Sequence, residues 1–221
     1  MREGRSHGSA QAAERQRVLG VVLCGGVSRR MGTDKGSLSF GQETLASRSA
    51  RALDAVTDEV VLACGSDPKY PELGLKLVQD SGAGLGPLEG IASCVESCDA
   101  EWLAVLACDL PNIVSEVPAA LLRRAFEQQL DVCMLSSRGQ REPLIAVYRR
   151  SCLAPIRAAL SSGSRRVDSF HSMRKTDGLE LMIGMLDVAE LPEEIRRTDV
   201  AMNLNTPAQL AAAISDFTER T

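Results

Sequence analysis

Aromatic residues make up only 3% of the 221-residue chain, with a single tryptophan, and histidine occurs twice. So few rings leave the core to aliphatic side chains, and two imidazoles are too few for chemistry that shuttles protons among several of them. Seven cysteines are present, but none share C-x-x-C spacing; Cys94 and Cys98 are the closest pair. Neither a zinc site nor a disulfide framework is expected from that distribution. Cys24, Cys64, Cys108 and Cys133 sit in apolar runs and read as small buried hydrophobes in a reducing compartment. No apolar run approaches the roughly 18 residues of a membrane span. Lys and Arg total 25 against 29 Asp and Glu, and no basic face interleaved with aromatics occurs, which excludes a general nucleic-acid binder. A cytoplasmic protein with no nucleic-acid or membrane partner is expected.

Two common phosphate loops are also missing. There is no G-x-x-x-x-G-K-[ST], since Lys35 follows Asp34, and no G-x-G-x-x-G after the first apolar run. The second absence, with no ribose-binding acid after the first helix, argues against a nicotinamide oxidoreductase.

What is present is the material of one α/β domain: 44% hydrophobic and 24% charged residues, enough to bury a substantial core. Apolar β-branched runs at Val18 to Cys24, Glu59 to Cys64, Leu75 to Val78, Trp102 to Ala107, Val132 to Leu135 and Leu144 to Tyr148 read as strands. Helical patterns lie between them near Thr44 to Ala55, Pro87 to Cys98 and Ser115 to Gln128, with Ser115 a candidate N-cap. Thr206-Pro207-Ala208-Gln209 announces a last helix. The alternation predicts a mostly parallel sheet covered by helices. Residues 1–17 are polar and lack a signal-peptide core, so they read as a disordered leader, followed by the domain at 18–215 and a tail at 216–221.

The first predicted strand runs into Leu23-Cys24-Gly25-Gly26-Val27-Ser28-Arg29-Arg30-Met31-Gly32-Thr33-Asp34-Lys35. A glycine pair alone is usually a turn. Here it follows a strand exit and is joined by three cations against the single acid Asp34, in a chain whose net charge is −4. Gly25 and Gly26 let backbone N–H groups approach phosphate oxygens, while Arg29, Arg30 and Lys35 supply positive charge. The loop is therefore a candidate site for a nucleoside triphosphate. Asp109 leaves the Trp102 to Ala107 strand at the same edge of the sheet. A carboxylate there can hold Mg²⁺ beside substrate phosphates, or can be an ordinary turn residue before Pro111.

These thirteen residues resemble the L-x-G-G-x-S-x-R-M-G-x-D-K signature of the molybdenum cofactor guanylyltransferases and their MobA-like nucleotidyltransferase relatives. The resemblance covers about residues 18 to 215. It implies a single three-layer α/β/α domain with a Rossmann-like nucleotidyltransferase fold. It further implies Arg30, Lys35 and Asp109 as catalytic residues, with Asp109 the Mg²⁺ ligand in a C-D-x-P pattern. Leu23, Cys24, Gly25, Gly26, Lys35, Asp80, Gly86 and Asp109 would bind the nucleotide. Asp80 and the Gly86-Pro87-Leu88-x-Gly90-Ile91 segment match family elements around the base. Ser164-Arg165-Arg166-Val167 and Asn203-Leu204-Asn205-Thr206-Pro207 match the acceptor side, which assigns Arg165, Arg166, Asn203 and Asn205 to the acceptor. Arg141 to Ala146 resembles a strand lining the substrate groove. One departure stands out, since Ala63 occupies a position where some members carry a nucleotide-contacting Asn.

The activity so implied is transfer of GMP from GTP to the terminal phosphate of Mo-bound molybdopterin, with release of pyrophosphate. L-C-G-G, C-D and N-x-N-T-P resemble the guanylyl rather than the cytidylyl members. A cytidylyltransferase or other nucleotidyltransferase of the same fold, and a catalytically inactive nucleotide-binding regulator, are the alternatives. The resemblance leaves room for transient contact with other cofactor-biosynthesis proteins.

Overall fold

A computed structural model describes residues 16–24, 34–65, 67–80, 86–204, 209–210 and 212–214. In chain order the strands are β1 (Val18–Leu23), β2 (Ser39–Phe40), β3 (Glu43–Thr44), β4 (Glu59–Ala63), β5 (Lys76–Val78), β6 (Trp102–Ala107), β7 (Val132–Ser137), β8 (Gln140–Arg149) and β9 (Ile183–Asp187). The helices are α1 (Leu45–Asp54), α2 (Pro87–Glu96), α3 (Glu116–Glu127), α4 (Leu153–Ser161) and the short α5 (Glu193–Arg196). Seven strands form one sheet in the order β5-β4-β1-β6-β8-β7-β9, and β2 and β3 form a separate small hairpin.

The β4-β1-β6 core of the sheet is parallel, as the expected fold class requires, and β8 is the strand that runs against its neighbours. Its reversal is local in origin. Arg138 (φ 53°) and Gly139 (φ 75°) alone separate β7 from β8, and two consecutive residues with positive φ make the tight turn that matches strand twist. β8 is longer than the apolar run at Leu144 predicts, because its first residues pair with β7 after a bulge between Met134 and Leu135.

Alternation along the strands divides the core in two. Val22, Leu62 and Leu106 face α1 and α3, whereas Val21, Val61 and Val105 face α2 and α4, giving the three-layer arrangement. The α2 and α4 layer is tied by Glu89, which is 2% exposed and takes Arg157 Nη1 at 2.8 Å on both carboxylate oxygens.

Several expectations are modified. Ser115 stands at the N-cap position of α3 but makes no side-chain cap bond; its hydroxyl turns to Glu116 Oε2 at 3.2 Å. α4 and β9 have no counterpart among the predicted elements. Pro155 inside α4 and Gly184 inside β9 break the sequence pattern, yet Gly184 is needed because a Cβ there would stand 2.3 Å from Leu130 Cδ1. Within the segment read as a leader, the Arg17 carbonyl accepts from Glu101 and Trp102 N–H and Gln16 Oε1 from Trp102 Nε1 at 2.7 Å; residues 1–15 lie outside the described residues. Of the last predicted helix, residues 209–210 and 212–214 are helical, and Thr206 and Pro207 also lie outside the described residues.

Asp131 pins the edge of the sheet. It is 1% exposed, accepts from Ser151 Oγ at 2.6 Å and Met182 N at 2.9 Å, and pairs with Lys175 Nζ at 3.1 Å. Desolvation works to raise its pKa, but the Met182 amide, Ser151 and Lys175 outweigh it and hold the carboxyl below its usual range. The folded pKa is depressed, so this stability is present above the ordinary carboxylate pKa and lost as pH falls through the folded value. Asp131→Asn should cost about 3 kcal/mol near neutral pH, and the difference from wild type should shrink below about pH 4; denaturant melts at several pH values read both effects.

Candidate functional site

The chemistry gathers where β4, β1 and β6 end. Leu23 lies opposite both Ala63 and Ala107, and the ladder extends one step further through Cys24 N to Ala63 O (2.9 Å) and Cys108 N to Leu23 O (3.2 Å). Leu23 and Cys24 therefore use backbone groups to hold the stem of the loop. Gly25, Gly26 and Arg30 lie outside the described residues.

The far end of that loop is placed by a brace. Asp34 caps the 3-10 turn Lys35–Ser37, accepting from Gly36 N at 3.3 Å. Tyr70 Oη donates to Asp34 Oδ1 at 2.6 Å, and Lys69 Nζ stands 3.3 Å from Asp34 Oδ2 and 3.3 Å from the Cys24 carbonyl. Burial pushes the Tyr70 phenol up, and its bond to Asp34 adds to this, so it remains a donor. Asp34 is thus a structural anchor within a cationic loop. Lys69 and Tyr70 escaped the sequence reading because they sit in a polar segment with no strand or helix pattern; Tyr70 itself has φ 54°.

Lys35, so oriented, places Nζ 3.1 Å from Asp109 Oδ2, with the two side chains 19% and 16% exposed. Residues far apart in sequence and predicted to act together are in contact. Asp109 opens onto a cavity of about 530 Å³ lined also by Arg141, Glu142, Arg166, Asp168 and Asn203. Arg166 reaches that cavity while held by Asp168 through two 3.1 Å bonds, and this arginine lowers the Asp168 pKa. Burial, with Asp199 adding to it, raises the Glu142 carboxyl. Arg165 does not line the cavity; its Nη1 turns to the carbonyls of Leu160 and Ser164. Asn203 does line it, and the next residue anchors the segment, because Leu204 N donates to Asp109 O at 3.1 Å. Asn205 lies outside the described residues.

On the α2 side, Asp80 Oδ1 is buried without a hydrogen-bond partner among the described residues, and desolvation together with Glu89 raises this carboxyl. An orphaned buried acceptor is costly unless a ligand donor meets it. Gly86 has φ 84°, and the space of its missing Cβ faces the Arg165 carbonyl at 3.7 Å, so the start of α2 borders the Arg165-Arg166 segment. Ala63 is 2% exposed and packs toward Gly90, leaving only a methyl where some relatives carry an amide.

Asp109 offers a hard carboxylate oxygen beside the cavity, a ligand of the kind Mg²⁺ takes together with water and substrate phosphate. Among the described residues no helix is long and apolar enough to cross a membrane.

Residues 20–176 match the family model of the MobA-like NTP transferase domain. A probable molybdenum cofactor guanylyltransferase of Pelotomaculum thermopropionicum is 32% identical, over 89% of this chain and 91% of its own. Another from Chloroflexus aggregans is 36% identical over 68% of this chain and 74% of its own. In fold, the chain resembles the crystal structure of molybdopterin-guanine dinucleotide biosynthesis protein A from Archaeoglobus fulgidus. The TM-score is 0.75 at 22% identity, covering 91% of this chain and 99% of that one.

The brace makes a prediction of its own. A Cβ at Gly36 would stand 2.3 Å from Tyr70 Oη. Gly36→Ala should cost about 1–3 kcal/mol in stability through overpacking, and should weaken nucleoside triphosphate binding by displacing the Lys35 turn. Thermal melts and nucleotide titrations of the same preparation separate the two effects.

Proposed function

Because the chain belongs to the MobA-like NTP transferase family, we propose that it is the nucleotidyltransferase that moves GMP from GTP to the terminal phosphate of Mo-bound molybdopterin. Pyrophosphate is the other product. The observation that carries this reading is the contact between Lys35 and Asp109, the latter lining the cavity that Arg166 and Asn203 also line. The Lys35 end suits a triphosphate and the Arg166 end an anionic acceptor.

The acceptor phosphate is mostly dianionic at neutral pH, so it attacks without a general base. Its oxygen forms a bond to the α-phosphorus of GTP while the bond from that phosphorus to the bridging oxygen breaks, and the electron pair leaves with pyrophosphate. The protein's task is to bring two anions together in line and to stabilise the departing charge. Lys35 neutralises the triphosphate, with Arg30, Gly25 and Gly26 assigned the same task by family resemblance. Lys69 adds a second positive charge near the Cys24 carbonyl. Arg166 and Asn203 orient the acceptor phosphate from across the cavity. Asp109 would hold Mg²⁺, which would supply neutralisation of the triphosphate charge. The buried Asp80 oxygen suits the adjacent N–H donors on the guanine edge, since an ionised carboxylate only accepts.

The deciding experiment measures pyrophosphate release from each nucleoside triphosphate with Mg²⁺, with and without molybdate-loaded molybdopterin. Release with GTP and the pterin together supports the proposal; release with CTP instead, or with a sugar phosphate as acceptor, overturns the substrate. Asp109→Ala should lower turnover by at least about 10³-fold, and full Mg²⁺-dependent activity in that variant would remove Asp109 as the metal ligand. Asp80→Asn should raise the KM for GTP about tenfold while sparing kcat. In the wild type, GTP affinity should grow as pH rises through the raised Asp80 pKa, since the ionised form is the acceptor, and the Asn variant should flatten that profile.

A further inference from the structure

The sheet order places two carboxylates on opposite flanks of the Lys35–Asp109 contact. Asp80 and Asp109 each stand two residues past a strand, β5 and β6 respectively, and β4 and β1 lie between those strands. β8 borders β6 on its other side and runs antiparallel to it, so it enters the sheet at the edge where the parallel strands end. Leu106 stands opposite Ile145; three residues on from Leu106 is Asp109, and three residues back from Ile145 is Glu142. Glu142 thus comes to the same edge as Asp109, and both line one cavity.

β8 is shaped to present it. Pairing with β7 passes from Met134 opposite Ala146 to Leu135 opposite Glu142, so residues 143–145 have no partner on β7. Irregularities of this kind gather next to active sites and re-aim side chains. This one is fixed by the buried Tyr148, whose hydroxyl donates to the Pro143 carbonyl at 2.5 Å. Pro143, Leu144 and Ile145 all line the cavity, and with Met134 and Val167 they give Glu142 an apolar surround.

Other charged groups of the cavity are engaged, Asp109 by Lys35 and Arg166 by Asp168. Glu142 is half-buried and forms no ion pair or side-chain hydrogen bond with Arg141 or with any other described residue. The charge felt there is the like charge of Asp199, itself held by Arg138. A free carboxylate between apolar walls is matched by a flat ligand that brings paired N–H donors. A 2-amino-4-oxo ring has such a pair, the ring N–H beside the amino group, and meets both carboxylate oxygens through two parallel bonds as a guanidinium does.

We propose that Glu142 recognises the heterocycle of the acceptor by accepting both of those N–H groups, and so decides which acceptor the cavity takes. Naming the ring as a pterin rests on the function proposed above. Asp80 then reads the same donor pair on guanine from the opposite flank, so the two ring-bearing substrates approach from either side of Asp109 and meet at their phosphates.

The test compares the binding of 6-hydroxymethylpterin and 6-hydroxymethyllumazine, in which an oxo group replaces the amino group, to the full-length chain without nucleotide. GMP transfer to molybdate-loaded molybdopterin is measured alongside, in the wild type and in Glu142→Gln. The wild type should bind the pterin about tenfold or more tightly than the lumazine. Glu142→Gln should lose that preference and raise the KM for molybdopterin by a similar factor, with the KM for GTP unchanged. Glu142→Met, of similar length but without an oxygen acceptor, gives the same readouts if the Gln variant fails to fold. Equal wild-type affinity for the two rings, a variant that keeps the preference, or a KM that rises for GTP instead of the acceptor would each overturn the proposal. So would a greater Mg²⁺ requirement at unchanged acceptor KM, which would assign Glu142 to the metal. A chain that tells the rings apart through Glu142 yet moves no GMP to molybdopterin would uphold this pocket and sink the functional reading; transfer with the rings undistinguished would do the reverse.

Discussion

The ladder joining β4, β1 and β6 holds its register to the last residue of each strand, with Leu23 level with both Ala63 and Ala107. Parallel strands have all their carboxyl ends on one side, so loops leaving a level edge start side by side. That is why Cys24, at the root of the glycine loop, and Asp109, two residues past β6, become neighbours at all. Core alternation maintains the level: a slip of one residue would turn Val22, Leu62 and Leu106 to the opposite face. The aliphatic packing of the sheet thus positions the charges without touching them.

Level strand ends bring loops together but do not aim a flexible lysine. That second task falls to Asp34, which receives the Gly36 amide, the Tyr70 hydroxyl and the Lys69 ammonium. Each of these groups comes from a segment adjoining the loop, so the loop is clamped at its far end as well as at its root. The far side of the cavity is held in a comparable way, by Leu204 bonding the Asp109 carbonyl and by Asp168 gripping Arg166. In both places a backbone or acidic partner spends its bonding on another functional group, leaving that group fixed in direction.

The central parallel strands β1 and β6 could be read from the chain because both of their faces are buried. Val18 to Leu23 and Trp102 to Ala107 are uniformly apolar and end where their patterns end. β9 could not, since an edge strand with exposed Met185 and a glycine under Leu130 carries no such signal. In the site, Lys35 and Asp109 stood out by motif, and their contact follows from the sheet. Lys69 and Tyr70 act through a left-handed turn before Pro71, a geometry that residue types alone do not announce. Arg165 and Arg166 are indistinguishable as a sequence pair; only the turn after α4 decides that one faces the cavity and its neighbour the Leu160 and Ser164 carbonyls.

The bond from Leu204 to the Asp109 carbonyl has a consequence for how the protein comes into being. A ribosome delivers the chain from its amino end, and domains begin to organise as they emerge. β1, β4 and β6, and with them Lys35 and Asp109, come from residues made early. Asn203 and Leu204 come after β9 and α5, so the far wall of the cavity arrives late in translation. The Lys35–Asp109 end of the cavity is thus made before the Asn203 wall that completes it.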